Sequence, residues 1–194
     1  MAENGIRLIV GLGNPGARYE STRHNVGYWF VDTLAARSGG LFRLENKFQG
    51  LLCRLAVFGE DLRLLKPATF MNRSGRSLGA VVRYFDIPPE RVLVAHDELD
   101  LPVGVLRLKQ GGGHGGPNGL RDIINVLGTR EFRRLRIGID HPGDRAQVVN
   151  YVLSQASKDD EGCIRDALDE ALFCLGDLAA GNFQKVMNRL HRGR

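Results

Sequence analysis

The sequence predicts a single α/β domain over residues 1–194, with a mixed, twisted β-sheet sandwiched between helices. Three observations support this. Short apolar runs alternate with stretches of helical spacing, a polar cluster follows several of those runs, and the 194-residue chain is long enough for one core. Polar clusters that follow strands gather at the carboxyl edge of an open α/β sheet, where ligands bind. We therefore expect one site built from several distant segments.

Each element follows from a local pattern. Residues 8–10 form a buried apolar strand that stops at glycine, and residues 26–37 have helical spacing that ends at Gly39-Gly40. Residues 48–58 and 62–65 predict an antiparallel hairpin. The remaining predicted strands are 92–95, 103–108 and 135–139, and the remaining predicted helices are 74–85 with Ser74 as N-cap, 118–127, 146–153, 159–180 and 182–191.

Composition restricts the class of protein. No apolar stretch approaches the length of a membrane span, and the first residues lack the basic and apolar segments of a signal peptide. Cys53, Cys163 and Cys174 show no short-range pairing, which indicates reduced cysteines that mostly fill the core. We expect a cytoplasmic protein and, since no surplus amphipathic surface demands a partner copy, a monomer.

Positive charge is concentrated in two stretches. The net charge is +5, and residues 107–145 contain eight basic and four acidic residues, which gives +4 from that span alone. A second basic cluster closes the chain at Arg189, His191, Arg192 and Arg194. Such runs often form an ordinary solvated surface, but their clustering also matches the footprint of a protein that binds a polyanion.

Two glycine patterns resemble motifs of other enzymes. Gly11-x-Gly13-x-x-Gly16 matches the dinucleotide fingerprint, but Pro15 interrupts the expected helix start and Asp32 lies inside a helical pattern instead of ending a second strand. This match is therefore weak.

Gly75-x-Ser77-x-Gly79 matches the nucleophile elbow of serine hydrolases, and Asp97 and His114 follow in the right order. The elbow needs its serine on a tight turn directly after a strand. Ser77 lies about ten residues beyond a strand, inside a helical pattern. A serine esterase that uses Ser77 is kept as an alternative.

The glycine-rich segment 111–119 contains six glycines and leads into a predicted helix. Free backbone N–H groups there could hold a phosphate or carboxylate. It lacks the Lys-Ser/Thr of a Walker loop. The five histidines show no zinc spacing and no CxxC is present, so we expect neither a metal nor a cofactor.

His24 and Asp97 are candidates for a base and its orienting acid. Histidine takes up a proton near neutral pH, and a carboxylate that accepts its N–H fixes the tautomer and raises the basicity. Asn14, in the loop after the first strand, offers a neutral donor and acceptor. Taken alone, polar residues so far apart in sequence would by default be structural.

Five stretches, taken together and in this order, resemble bacterial-type peptidyl-tRNA hydrolases. They are residues 11–16 (GLGNPG), 22–25 (TRHN), 66–72 (KPATFMN), 96–100 (HDELD) and 111–116 (GGGHGG). The resemblance runs over nearly the whole chain. It implies a single α/β domain that hydrolyses the ester joining a peptide, or an N-acylated amino acid, to the 3′ end of tRNA.

The resemblance also implies roles for residues. His24 matches the general base, Asp97 the acid that orients it, and Asn14 the residue that distinguishes blocked from unblocked aminoacyl-tRNA. The implied substrate contacts are Tyr19, Phe70, Met71, Asn72 and Asn118, and the implied contacts to tRNA phosphates are Arg107, Lys109, Arg136 and Arg145. The chain departs from the family pattern at Pro117, where histidine is common, and at Asp140, where glycine is common; Asp140 is expected to reduce the local positive field slightly.

The chemistry agrees with these residue types. An aminoacyl ester is already activated, so a positioned water, a base and neutral donors to the oxyanion suffice without a metal or a covalent nucleophile. Besides the serine esterase, a second alternative is an RNA-binding module without catalytic activity that uses only the basic surface.

Overall fold

One mixed sheet organises the computed structural model, which describes residues 5–57, 59–113 and 118–191, excluding the side chains of 57, 60 and 118. Within these residues seven strands pair: β1 (Leu8–Gly11), β2 (Arg43–Glu45), β3 (Gly50–Val57), β4 (Glu60–Pro67), β5 (Val92–Glu98), β6 (Leu106–Gln110) and β7 (Arg133–Gly138). Their order is β2-β3-β4-β1-β5-β7-β6. The four central strands β4, β1, β5 and β7 run parallel, whereas β2–β3, β3–β4 and β6–β7 are antiparallel pairs.

Helices cover both faces of this sheet. They are α1 (Val26–Arg37), α2 (Ser74–Phe85), α3 (Asn118–Leu127), α4 (Val148–Val152), α5 (Lys158–Leu172), α6 (Leu175–Ala180) and α7 (Phe183–Leu190). One core cluster lies between the sheet and α1, α5, α6 and α7, and a second lies between the sheet and α2 and α3. The predicted α/β architecture with a mixed sheet between helices is confirmed. No helix in the described residues has the length and hydropathy needed to span a membrane.

The topology opens a crevice at the carboxyl ends of the central strands. The chain leaves β1 toward α1 on one face of the sheet and leaves the adjacent strand β4 toward α2 on the other face. Loops that diverge to opposite faces leave space between them, and this is where open α/β sheets bind ligands. The predicted polar segments after β1, β4 and β5 all border this point.

Two glycines bring α1 into backbone contact with the central strands. A Cβ on Gly11 would lie 2.2 Å from the carbonyl oxygen of Gly27, and a Cβ on Gly27 would lie 2.4 Å from the carbonyl oxygen of Ala95. Neither position therefore accepts a larger residue without movement of the backbone. Gly11, the first glycine of the pattern that matches a dinucleotide fingerprint, thus serves helix packing, which holds the start of α1 directly over the strand ends.

Several predicted boundaries were wrong for identifiable reasons. Ser74 is the first helical residue and not the N-cap, because a 3-10 turn, Met71–Arg73, leads into α2 and the Ser74 hydroxyl donates to the Met71 carbonyl. Strand β6 starts at residue 106, not 103, because Gly104 adopts a positive φ of 75° in the preceding turn.

The predicted helix 159–180 is two helices, α5 and α6, separated at residues 173–174. Buried residues keep helical spacing across the break, at positions 164, 168, 171, 175 and 178, so the periodicity could not reveal it. The edge strand β2 was not predicted at all. Cys53, Cys163 and Cys174 are free, and only Cys163 is exposed.

Candidate active site

His24 and Asp97 meet at the carboxyl ends of β1 and β5. His24 lies in the 3-10 turn Arg23–Asn25 that leads into α1, and its Nδ1 is 2.8 Å from Asp97 Oδ2. The His24 side chain is 17% exposed and that of Asp97 is 6% exposed. Because a carboxylate only accepts hydrogen bonds, Nδ1 carries the proton and Nε2 keeps its lone pair. The pair is thus arranged as a base with an orienting acid.

The surroundings of His24 set its basicity. Burial disfavours the imidazolium, but the negative charge of Asp97 and its hydrogen bond outweigh burial, so the pKa of His24 lies above the ordinary value of an imidazole. The neutral form, which can accept a proton, is then populated as the pH rises through that raised pKa. Asp97 therefore strengthens the base at the cost of a smaller unprotonated fraction near neutrality.

Asn14 is held by the side chain of Asn25. The Asn25 amide accepts from the Asn14 backbone N–H at 2.9 Å and donates to the Asn14 carbonyl at 3.0 Å. The Met71 N–H donates to Asn14 Oδ1 at 2.8 Å. Since Oδ1 is occupied, Asn14 offers its Nδ2 group as a donor to the space in front of it. Asn25, only 1% exposed, was not among the predicted site residues, although it follows His24 directly.

These residues border a cleft of about 670 Å³. Its polar side includes Asn14, His24 and Asp97, and Asn72 and Asp100 also line it. The facing side is formed largely by α4 and the residue after it. The described residues of that side are Val148, Val149, Val152 and Leu153, with His141 and Arg145 nearby. The cleft thus combines a buried polar wall with an apolar wall.

The predicted substrate contacts divide between cleft and surface. Phe70, Met71 and Asn72 line the cleft, and Phe70 is 54% exposed. Tyr19 is outside the cleft lining, in the 3-10 turn Ala17–Tyr19, with the Arg18 guanidinium 4.5 Å from its ring centre. The Asn118 side chain, with His114 and Pro117, lies outside the described residues.

Three of the four predicted phosphate contacts lie together on the β6–β7 pair. Arg107 is opposite Arg136, and Lys109 is opposite Arg134, which places these side chains on one face of the sheet. Glu98 is 2.9 Å from the Arg136 guanidinium and offsets part of its charge. Arg145 lies apart from them, at the exposed rim of the cleft.

Arg134 adds a buried cation that sequence reasoning did not single out. Its guanidinium donates to the Gly112 carbonyl at 2.7 Å and to the Gly113 carbonyl. It thereby anchors the start of the glycine-rich segment. The only hint in the sequence was its position among several arginines.

Ser77 has no elbow geometry. It lies inside α2, is fully buried, and its hydroxyl has no hydrogen-bond partner in the described part of the chain. A nucleophile elbow requires an exposed serine directly after a strand. Among the described residues, no three His, Cys, Asp or Glu side chains are grouped so that they could hold a metal ion.

The fold and the site define the class of protein: an α/β enzyme whose candidate catalytic group is a carboxylate-oriented imidazole. Comparison with known families shows to which family of enzymes this chain belongs. The family model described as peptidyl-tRNA hydrolase matches residues 8–194, and the chain belongs to that family.

Similar proteins agree over almost the full length. The chain is 56% identical to the peptidyl-tRNA hydrolase of Tolumonas auensis, over 96% of this chain and 95% of the relative, and 55% identical to that of Methylobacillus flagellatus, over 97% of each. The crystal structure of the enzyme from Acinetobacter baumannii is 46% identical with a TM-score of 0.96, and covers 98% of this chain and 97% of its own.

Proposed function

We propose that this chain hydrolyses the ester between a peptide and the 3′ end of tRNA, with His24 as the general base that activates water. The observation that carries the proposal is the 2.8 Å contact between His24 Nδ1 and Asp97, which leaves Nε2 free on a side chain that lines the cleft. Membership in the peptidyl-tRNA hydrolase family supports the reaction.

The reaction needs only these side chains and water. Nε2 of His24 takes a proton from a water molecule as the water oxygen attacks the ester carbonyl, and Asp97 stabilises the imidazolium that forms. The Nδ2 group of Asn14 donates to the oxyanion of the tetrahedral intermediate. When the intermediate collapses, the imidazolium returns the proton to the 3′ oxygen of tRNA. The peptide leaves with a carboxylic acid group, which then loses its proton to solvent.

The cleft also gives a basis for sparing tRNA that carries a free amino acid. A peptide offers a neutral amide that can pair with the amides of Asn14 and Asn72. A free aminoacyl group instead brings an ammonium, which would lose water against apolar Phe70 and Met71. Sites built around specific hydrogen bonds discriminate strongly against analogues that lack them.

The tRNA itself is expected to contact the basic face of the β6–β7 pair. Phosphate contacts supply affinity that is independent of sequence and falls with salt. Arg107, Lys109 and Arg136 supply this charge, and Arg145 extends it to the cleft. Because peptidyl-tRNA is a product of translation, we expect action in the cytoplasm, by a monomer; sedimentation of the purified protein tests the latter.

Release of N-acetylated amino acid from charged tRNA tests this function. Purified protein in the presence of a chelator should release it, and Ser77→Ala should be as active as the unchanged chain. A folded but inactive Ser77→Ala protein would favour the serine esterase. Binding of tRNA with no ester cleavage would favour the RNA-binding module.

A further inference from the structure

Arg23, the residue before His24, is buried and reaches across to the other wall of the cleft. Its guanidinium donates to the Ser154 hydroxyl and to the Gln155 carbonyl, both at 2.8 Å, and approaches the Asp160 carboxylate at 3.3 Å. It also stacks 4.3 Å from the ring centre of Tyr151. The Arg23 side chain is 10% exposed, so a cation is held here by oxygens and an aromatic face.

These partners surround the end of α4, which forms the apolar wall. Tyr151 lies within α4, and Ser154 and Gln155 are the second and third residues after the helix ends at Val152. The backbone joins the same two segments, since the Arg23 N–H donates to the Ser154 carbonyl at 3.1 Å and Thr22 pairs with Gln155 as a β-bridge. The turn that carries the imidazole and the apolar wall are therefore connected through the Arg23 side chain and the backbone of Thr22 and Arg23.

Besides Arg23, the wall is held by the buried Val152 and by the Tyr151 hydroxyl, which donates to the Ile139 carbonyl at 2.5 Å. Val149 is 66% exposed and Leu153 is 39% exposed, while Val152 alone of this group is buried, at 8%. A five-residue helix is too short to be stable by itself. Its position relative to His24 must come from contacts such as those of Arg23.

We infer that Arg23 is a positioning residue, which sets the distance between His24 and the α4 wall and so governs how the peptide part of the substrate binds. This inference rests on the proposed function, because the wall matters only if a peptide lies in the cleft. It does not involve the Asp97 contact, which approaches His24 from β5.

A planar guanidinium suits this place better than an ammonium. It donates in several directions in one plane and stacks on a ring at the same time, whereas lysine offers a compact charge that cannot hold all these partners. Arg23→Lys thus keeps the charge and removes the geometry. Arg165→Lys is the matched control: Arg165 lies on α5, pairs with Glu161 at 2.6 Å and sits 5.1 Å from the Trp29 ring centre, away from the cleft lining.

Steady-state kinetics on N-acetylated dipeptidyl-tRNA separate positioning from simple destabilisation. For Arg23→Lys we expect KM to rise about tenfold while kcat changes less than about threefold, since misplacement of a binding wall affects binding more than chemistry. The acid limb of the pH profile should stay in place. Arg165→Lys should match the unchanged chain in every parameter.

Ser154→Ala is a milder variant for the case in which Arg23→Lys folds poorly. It removes an exposed hydroxyl that accepts from Arg23 and donates to the Tyr151 carbonyl at 2.7 Å, and it should raise KM about threefold, in the same direction. Hydrogen exchange should be faster at residues 149–153 in both variants but not in Arg165→Lys.

An unchanged KM in both variants, a fall in kcat at constant KM, or a moved acid limb would overturn the inference while the proposed function stands. A lack of hydrolysis by the unchanged chain would overturn the proposed function, and this inference with it.

Discussion

The two walls of the cleft differ in how their positions are fixed. On the polar wall, Asn25 brackets the Asn14 backbone with two hydrogen bonds and Asp97 holds His24 with another. On the apolar wall, Val149 and Leu153 present side chains to solvent. This difference indicates which residues of the cleft need a fixed position. Groups proposed to react are each held by hydrogen bonds of their own, whereas the wall proposed to receive peptide side chains is held at its end by Arg23 and keeps an exposed apolar surface.

Removal of the base should have the largest effect. His24→Ala is expected to lower kcat by about 10²–10⁴, the usual value of general-base catalysis, with tRNA binding largely intact. Single-turnover release of N-acetylated amino acid measures this, with Ser77→Ala as the control that stays active. Near-normal turnover by His24→Ala would mean that another group is the base.

Removal of the hydrogen bonds from the Asn25 side chain to the Asn14 backbone should have the next largest effect. Asn25→Ala leaves the backbone groups of Asn14 without their partners, and misplacement of a catalytic group can cost up to about 10²-fold in kcat/KM. The two lost hydrogen bonds should also lower the free energy of unfolding by about 1–3 kcal/mol each. Kinetics and urea unfolding measure the two effects. Activity equal to that of the unchanged chain would show that Asn14 needs no such support.

The apolar wall should respond more weakly and in a different parameter. Val149→Ser removes part of an exposed apolar contact, worth on the order of 1 kcal/mol, so KM should rise by less than about tenfold with kcat unchanged. Substrates with small and with large apolar side chains should be compared. If kcat falls as far as in Asn25→Ala, the division between the two walls is wrong.

The basic residues of the β6–β7 pair lie outside both walls, and their replacement should lower tRNA affinity and its dependence on salt. Each lost phosphate contact should flatten the log–log slope of affinity against salt by roughly 0.7–0.9. Lys109→Gln is expected to show more of this change than Arg136→Gln, because Glu98 already offsets Arg136. Titration of tRNA binding at several salt concentrations tests this. Slopes that do not change in either variant would place the phosphates elsewhere.

Local patterns in the sequence predicted the architecture, and the family resemblance predicted His24 as the base. Neither could show which distant segments contact each other. His24 and Asp97 are 73 residues apart, and only the adjacency of β1 and β5 brings them together. Asn25 was missed because it acts through the backbone of Asn14. Residues 146–153 were predicted as a helix, and helical spacing usually indicates a buried face. Val149 is instead exposed, so the pattern could not reveal that this helix lines the cleft.

The charge of Asp140 was considered from the sequence, but its backbone conformation was not. The sequence suggested only a weaker positive field at this departure from glycine. In the structure Asp140 has a φ of 65°, the left-handed region in which glycine is unstrained and aspartate is tolerated. Its carboxylate accepts from the His141 N–H at 2.8 Å, a local bond that supports this conformation. The positive φ is therefore a physical reason why glycine would suit this position.

The pH dependence of kcat/KM in the unchanged chain and in Asp97→Asn is the most direct test of His24 as a base that Asp97 orients. Asp97 raises the pKa of His24, and the base must be unprotonated, so the rate should rise with pH through that raised pKa. Without the carboxylate charge the imidazole loses its proton at lower pH. For Asp97→Asn we expect an acid limb displaced to lower pH, together with a lower plateau from a weaker and less well oriented base. An acid limb at the same pH in both proteins would contradict the His24–Asp97 mechanism.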